Sequence, residues 1–280
     1  MRNKALEQTV FVFTAGGFGV FLRWMQRQLA FDDKGLCGPS VFNVLLPLFI
    51  LALVWLLKKR NKELLGKRRS MSELQEEALR NPGKLYTALR WCCGGLMALG
   101  GVLIIRGSET ETLVRMLRVL GVLAILAGLC LALYLGAVNR PIGRKRRGLL
   151  CTITMAPVLL FAAWLVYDYR ANSINSVVWD YLIEVLCVST LMLAFFRLAG
   201  FAFGQAAPKK LLFWLQFGCF MAVTALADER SMGMQLILLA AALLLALADF
   251  ILIENLREKD LATLMAEAAS EPNDGFDRLN

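Results

Sequence analysis

Long blocks of apolar residues, separated by short polar segments, run through the whole sequence. A helix needs roughly 20 mostly apolar residues to cross the hydrocarbon of a bilayer. The blocks predict eight spans, near residues 8–28, 40–57, 85–105, 112–138, 149–168, 176–198, 211–227 and 233–254. Because most connections are short, consecutive spans should form antiparallel hairpins. The predicted fold is all-α, a polytopic transmembrane helix bundle of about eight spans in four antiparallel hairpins.

The connections alternate in charge along the chain. Those after the second, fourth and sixth spans are basic: KKRNKELLGKRRS, NRPIGRKRRG and PKK. Those after the odd-numbered spans are neutral or acidic: FDDKG, GSETE, YDYRANSIN and ADERS. Basic loops remain on the cytoplasmic side of a membrane. The pattern therefore predicts a bacterial-type plasma membrane protein with both termini in the cytoplasm.

The longest connection, residues 58–84, contains helix signals of its own. Ser70 and Glu73 have the spacing of a capping box, and the NPG at 81–83 is a helix stop. An amphipathic surface helix is therefore expected here. One interpretation is that this connector and the basic loop 139–148 bind an anionic lipid or a protein partner. The other is that both are simply solvated.

The chain divides into two parts at the end of the last span. Residues 1–255 are predicted to form the transmembrane bundle, in contact with the lipid bilayer. The segment ENLREKDLATLMAEAAS that follows is rich in good helix formers, whereas EPNDGFDRLN is typical of a disordered end. Residues 256–280 are therefore expected to form a cytoplasmic helical extension and a disordered tail.

Composition excludes several classes of function. The net charge is +9, but the basic residues flank apolar blocks, where they orient spans, so no binding of nucleic acid is expected. The chain has no histidine, the central residue of haem-binding spans, serine–histidine proteases and HExxH zinc proteases. Six of its seven cysteines lie inside apolar blocks without a CxxC pattern. We therefore expect no cofactor, metal or disulfide framework, and no set of residues indicates an enzyme.

The sixth span carries two acidic residues near its start, Asp180 and Glu184, one helical turn apart. In the predicted topology they lie roughly 6 Å and 12 Å below the outer start of the helix. A charge at the depth of Glu184 is costly unless it is paired or hydrated. This residue should therefore face the interior of the bundle.

Two pairs of arginines are predicted at the same height. Arg23 and Arg27 lie one turn apart at the outer end of the first span, and Arg115 and Arg118 lie in the first turns of the fourth. Arginine suits buried pairing with a carboxylate because its guanidinium donates two parallel hydrogen bonds. One hypothesis is a structural interhelical ion pair, with Arg115 bonded to Glu111. The other is an outward-facing polar cavity that binds an ion or a small polar solute.

Two further features concern packing inside the bundle. Near the inner ends of the spans, Asp249 is expected to pair with Arg197 or Arg90. Small residues line the first and third spans, and close backbone approach is how such spans associate in lipid. The members of these two stripes are Gly16, Gly17 and Gly19, and Gly94, Ala98 and Gly101.

The stretch GVFLRWMQRQLAFDDKGLCGP, residues 19–39, resembles a pattern found in uncharacterised multi-span integral membrane proteins of clostridia. The residues that match it are Leu22, Arg23, Gln26, Phe31, Asp32, Gly35, Leu36 and Pro39. The resemblance covers the N-terminal hairpin and implies no particular activity. It does imply that the outer end of this hairpin, which includes Arg23, matters to the protein.

These features favour a transport-related or ligand-sensing membrane protein with an outward-facing polar site. Its predicted ligand-binding residues are Arg23, Arg27, Arg115, Arg118, Asp180 and Glu184. The alternative is a non-catalytic accessory or scaffold subunit of a membrane complex, held to its partner by the basic loops and the helical tail.

Overall fold

The computed structural model describes residues 3–31, 40–65, 79–81, 83–107, 113–137, 144–173, 177–204 and 207–270. This part of the chain forms eight helices: α1 (Asn3–Ala30), α2 (Phe42–Leu65), α3 (Lys84–Gly107), α4 (Val114–Ala137), α5 (Arg144–Ala171), α6 (Val178–Ala202), α7 (Pro208–Ala225) and α8 (Met232–Ser270). Each helix coincides with one of the predicted apolar blocks. The predicted all-α helix bundle is confirmed.

Seven of these helices, all except α7, are long and apolar enough to cross a membrane. Helix α7 has 18 residues, or about 27 Å at 1.5 Å per residue. It packs against α1, α2, α6 and α8, and it buries the polar side chains of Gln216 and Thr224. Because other helices surround it, α7 tolerates polar residues that a lipid-facing span would exclude.

The helices associate as the four predicted hairpins, α1–α2, α3–α4, α5–α6 and α7–α8. Further contacts join α1 to α7, α6 to α7, α4 to α5 and α3 to α8. Within their apolar segments, 72% of α8 but only 22% of α2 is buried, so α8 is central and α2 peripheral. We call the end with the connections after α1, α3, α5 and α7 the acidic-loop end, and the opposite end the basic-loop end. Which end faces the cytoplasm stays a prediction from the charge pattern.

Large apolar side chains are exposed along the exterior of the bundle, among them Leu51, Trp55, Leu129 and Val166. Apolar surface that recurs on helix after helix is unfavourable in water and is what lipid chains contact in a membrane. By the length and composition of its helices, the chain is a multi-pass membrane protein.

Glycine allows close approach between helices, as predicted for α1 and α3. A Cβ atom at Gly94 of α3 would lie 2.6 Å from the carbonyl oxygen of Gly128 in α4. On α1, a Cβ atom at Gly16 would lie 2.9 Å from the Val223 side chain of α7, whereas Gly17 faces open space. The predicted role in packing is thus confirmed for Gly94 and Gly16 and wrong for Gly17.

Several predictions concern the polar ends of the chain. Helix α2 continues to Leu65, past the predicted end at residue 57, and α8 continues to Ser270. The predicted surface helix lies mostly outside the described residues, as do the loop at 138–143 and the tail at 271–280. A lipid or protein partner at 58–84 and 139–148 stays a prediction, as does the division of the chain into a bundle and a tail.

Candidate functional site

Arg23, about 10 Å before the end of α1, is completely buried among hydrogen-bond acceptors. Its Nε donates to Asp228 Oδ1 at 2.7 Å, and its Nη1 donates to Gln26 Oε1 at 2.8 Å. The same guanidinium donates to the carbonyl oxygens of Trp179, at 3.1 Å, and Asp180, at 2.6 Å. Lysine has only three donors on one nitrogen and could not serve this spread of acceptors, so the site suits arginine.

The loop between α7 and α8, residues 226–231, supplies the charges that face Arg23. Its Asp228 and Arg230 are only 4% and 6% exposed. Arg230 Nη2 lies 2.9 Å from Asp228 Oδ2 and 3.2 Å from Glu184 Oε2 of α6. Asp228 therefore lies between two arginines, and Arg230 lies between two acids. Because α7 is short, this loop lies at the same depth as Arg23, about 10 Å inside the end of α1.

Hydrogen bonds continue from these ion pairs to two more helices. Gln26 Nε2 donates to Asn43 Oδ1 of α2 at 2.9 Å. On the other side, Trp164 Nε1 of α5 donates to Glu184 Oε1 at 3.1 Å. We call the connected set the polar network; its members are Asn43, Gln26, Arg23, Asp228, Arg230, Glu184 and Trp164. It joins three of the four hairpins at the acidic-loop end.

A cavity of about 300 Å³ lies beside the polar network at the acidic-loop end. Its charged lining residues are Asp168, Glu184, Glu229 and Arg230. Its apolar wall comes from α3, α4 and α8, through Leu103, Ile104, Leu117 and Met234. The α3–α4 hairpin has no residue in the polar network, but it contributes apolar residues to the lining of this cavity.

Two buried polar atoms at the cavity have no hydrogen-bond partner among the described residues. They are Oδ2 of Asp168, which is 2% exposed, and Nη1 of Arg230. Asp168 lies one turn after Trp164 on α5, and its carboxyl group neighbours that of Glu184. Unpartnered buried polar atoms are uncommon and unfavourable. Two residues that line the cavity, Asp168 and Arg230, therefore each carry a buried polar atom without a hydrogen-bond partner in the described structure.

Four of the predicted site residues meet at this end of the bundle. Arg23 and Glu184 belong to the polar network. Arg27 is partly exposed and lies 3.6 Å from each of two acids in the α7–α8 loop. Asp180 contributes its carbonyl oxygen to Arg23, whereas its carboxyl side chain is exposed. Their predicted role in ligand binding stays a prediction.

Arg115 and Arg118 lie apart from these residues. Both side chains are exposed on α4, outside the polar network, while their neighbours Leu117 and Leu120 face the interior. Glu111, the expected partner of Arg115, lies outside the described residues. The arginines that meet the acids of α6 therefore come from α1 and from the α7–α8 loop.

Sequence reasoning missed three residues of the site. In the predicted topology, Asp228 and Arg230 lie in the connection after the seventh span, and Asp168 lies where the fifth span ends, without a role for any of them. The available signal was ADER at 227–230, which holds three charged residues in a very short connection between two apolar blocks. Such a short connection has little room to lift its charges away from the helix ends.

The buried acid at the other end has a different partner from the one expected. Gln216 Nε2 of α7 donates to Asp249 Oδ1 at 3.0 Å. The expected ion pair with Arg90 or Arg197 is wrong, since Asp249 bonds to Gln216 and no ion pair joins it to either arginine among the described residues. The short helix α7 brings the glutamine amide next to the acid.

Comparison of the chain with protein-family models, curated proteins and solved structures finds no match. The resemblance of residues 19–39 to clostridial membrane proteins therefore stays a prediction. Of the matching residues, Arg23 and Gln26 lie in the polar network, and Leu22 is buried beside them.

Proposed function

We propose that this membrane protein binds a small polar solute in the cavity at the acidic-loop end, in a transport-related or ligand-sensing role. The observation that supports the proposal is the cavity of about 300 Å³ beside the unpartnered Asp168 Oδ2 and Arg230 Nη1. Ion pairs that only fixed the register of the helices would not need such a space beside them. Ligand sites are typically concave, with an apolar lining and a few placed polar groups.

The charge pattern supports a cavity that opens to the outside of the cell. The basic connections lie at the opposite end of the bundle, and basic segments remain cytoplasmic. In this orientation the solute reaches Asp168 and Arg230 without entering the hydrocarbon. The proposed site is thus the outward-facing polar cavity that the sequence suggested. It includes Asp168, Asp228 and Arg230 in addition, and it does not include Arg115 and Arg118.

The two walls of the cavity differ in how they are held, which fits a ligand-responsive role. The charged wall is fixed by the polar network across three hairpins. The apolar wall includes Leu103 and Leu117 of the α3–α4 hairpin, which shares no member with that network. A solute between the walls contacts both, and it can favour one relative arrangement of them over another.

Thiol labelling of the cavity wall tests the proposal. Leu117 of α4 lines the cavity and is 5% exposed, whereas Val119, two residues later, is 52% exposed on the exterior of the bundle. Leu117→Cys and Val119→Cys should be treated in intact cells with a membrane-impermeant methanethiosulfonate. The thiolate is the reactive form and requires water. We expect Leu117→Cys to react several-fold faster than the control, after subtraction of the wild-type labelling.

Two results would contradict the proposal in different ways. If Leu117→Cys reacts no faster than Val119→Cys on either side of the membrane, the cavity has no access to water and solute binding there is abandoned. If Leu117→Cys reacts only in inside-out vesicles, the cavity opens to the cytoplasm and the outward orientation is wrong.

A further inference from the structure

We infer that the ligand of this cavity is a small organic cation with a protonated amine, whose N–H groups donate to Asp168 Oδ2. This inference rests on the proposed function and adds the chemical class of the solute. It draws on the balance of charge at the cavity, the unpartnered atoms on its wall and the space between its walls.

Acidic side chains outnumber basic ones among the buried groups around the cavity. The buried and nearly buried groups are two arginines and three acids: Arg23 and Arg230 against Asp168, Glu184 and Asp228. The more exposed Arg27 and Glu229 lie 3.6 Å apart and offset each other. Both Glu184 and Asp228 contact an arginine, whereas Asp168 has no ion-pair partner among the described residues. The acid in excess, Asp168, therefore lies on the cavity wall.

This wall discriminates between classes of ligand. An anion would meet Asp168, Glu184 and Glu229 and would be repelled by them. A divalent metal ion needs several oxygen ligands, and the described residues contain no group of three or more side chains that could hold one. An ammonium group needs one carboxylate and nearby acceptors, and such charge-assisted hydrogen bonds are the strong ones. Asp168, with Glu184 beside it, provides that setting.

The remaining lining indicates the rest of the ligand. A water molecule takes up about 30 Å³, so the cavity has room for roughly ten atoms other than hydrogen. Arg230 Nη1 is a free donor in the described structure and suits a neutral oxygen, since its guanidinium already faces two acids. Leu103, Leu117 and Met234 can contact a short carbon skeleton. An amino alcohol combines these features.

Protection of the introduced thiol tests this chemistry. Purified Leu117→Cys protein in detergent should be labelled with an uncharged methanethiosulfonate in the presence of four small probes. Ethanolamine has an ammonium and a hydroxyl group. Tetramethylammonium has a positive charge but no N–H group. Ethylene glycol has hydroxyl groups and no charge, and glycolate has a negative charge. We expect ethanolamine to slow labelling the most and glycolate to have no effect.

Asp168→Asn, made in the same protein, should raise the ethanolamine concentration for half protection at least about tenfold. Asparagine keeps the shape of the side chain, so the fold should be retained. Glu63→Gln is the matched control, because it removes one negative charge from an exposed position at the basic-loop end. This control should leave the protection unchanged.

The outcomes distinguish failure of the amine inference from failure of the proposed function. If the thiol reacts but ethanolamine gives no protection, or ethylene glycol and glycolate protect equally well, the amine inference is overturned and the solute cavity stands. If Asp168→Asn leaves protection by ethanolamine intact, Asp168 is not its partner and the inference also fails. If the thiol does not react at all, both the inference and the proposed function fall. Thermal stabilisation by ethanolamine that is lost only in Asp168→Asn would give independent support.

Discussion

Removal of the Arg23 side chain should destabilise the folded protein more than removal of any exposed arginine. Arg23→Ala deletes donors to Asp228, Gln26 and two carbonyl oxygens at a fully buried position. Removing one partner of a buried ion pair costs about 3–5 kcal/mol. Asp228 keeps Arg230 at 2.9 Å as a second partner, which places the expected loss of unfolding free energy near the lower value, about 3 kcal/mol.

The magnitude distinguishes a charge-dependent network from ordinary interhelical contacts. Three of the four Arg23 hydrogen bonds leave α1, because Gln26 lies on the same helix. Hydrogen bonds between membrane helices average about 0.6 kcal/mol each, so three uncharged bonds of this kind would sum to about 1.8 kcal/mol. Arg23→Lys keeps the charge but has fewer donors, so its unfolding free energy should lie between those of wild type and Arg23→Ala. Arg118→Ala, on the exposed face of α4, is the control and should stay within about 0.5 kcal/mol of wild type.

Unfolding of the purified protein in mixed micelles, followed by steric trapping or by titration with a denaturing detergent, would measure these differences. The destabilisation should increase from Arg118→Ala through Arg23→Lys to Arg23→Ala, and any other order would contradict the reasoning. A destabilisation of less than about 1 kcal/mol in Arg23→Ala would refute it, because such a value is typical of a peripheral contact.

Two further predictions use the same assay. A Cβ atom at Gly100 would lie 2.7 Å from the carbonyl oxygen of Gly233, so Gly100→Ala should cost about 1–3 kcal/mol; Gly95→Ala, which faces open space, should not destabilise, and equal losses would refute the packing argument. Asp249→Asn should leave stability unchanged, because the amide oxygen can accept the same hydrogen bond from Gln216. Asp228→Asn should lower the unfolding free energy by about 3 kcal/mol, because Asp228 pairs with both Arg23 and Arg230. A larger loss in Asp249→Asn than in Asp228→Asn would contradict this reasoning.

The number and position of the helices could be predicted because a membrane span leaves a long apolar block. The approach of Arg23 to α6 could be anticipated as well, since intramembrane charges face the interior of a bundle. The position of Arg118 outside the polar network could not be predicted. Apolar residues of α4 face both the interior and the exterior of the bundle, as Leu117 and Val119 do, so the pattern does not tell which way Arg118 points.

The contacts of the charges in the α7–α8 loop could not be predicted for a different reason. The shortness of ADER indicates that its charges stay near the helix ends, but it does not indicate which of them are buried or what they contact. Their burial depends on the short α7 being enclosed by α1, α6 and α8, which is a property of the assembled bundle. Only the tertiary arrangement shows that Asp228 bonds to Arg23 and Arg230 to Glu184.

Arg23 and Asp228 lie 205 residues apart in the chain, and this separation sets an order of events during biosynthesis. At about 5–20 residues per second, a ribosome needs on the order of 10 to 40 s to make Asp228 after it has made Arg23. During that interval α1 carries a guanidinium whose carboxylate does not yet exist, and the long side chain must reach towards the headgroups for water. The contacts of Arg23 are therefore completed only after the α7–α8 loop has been made.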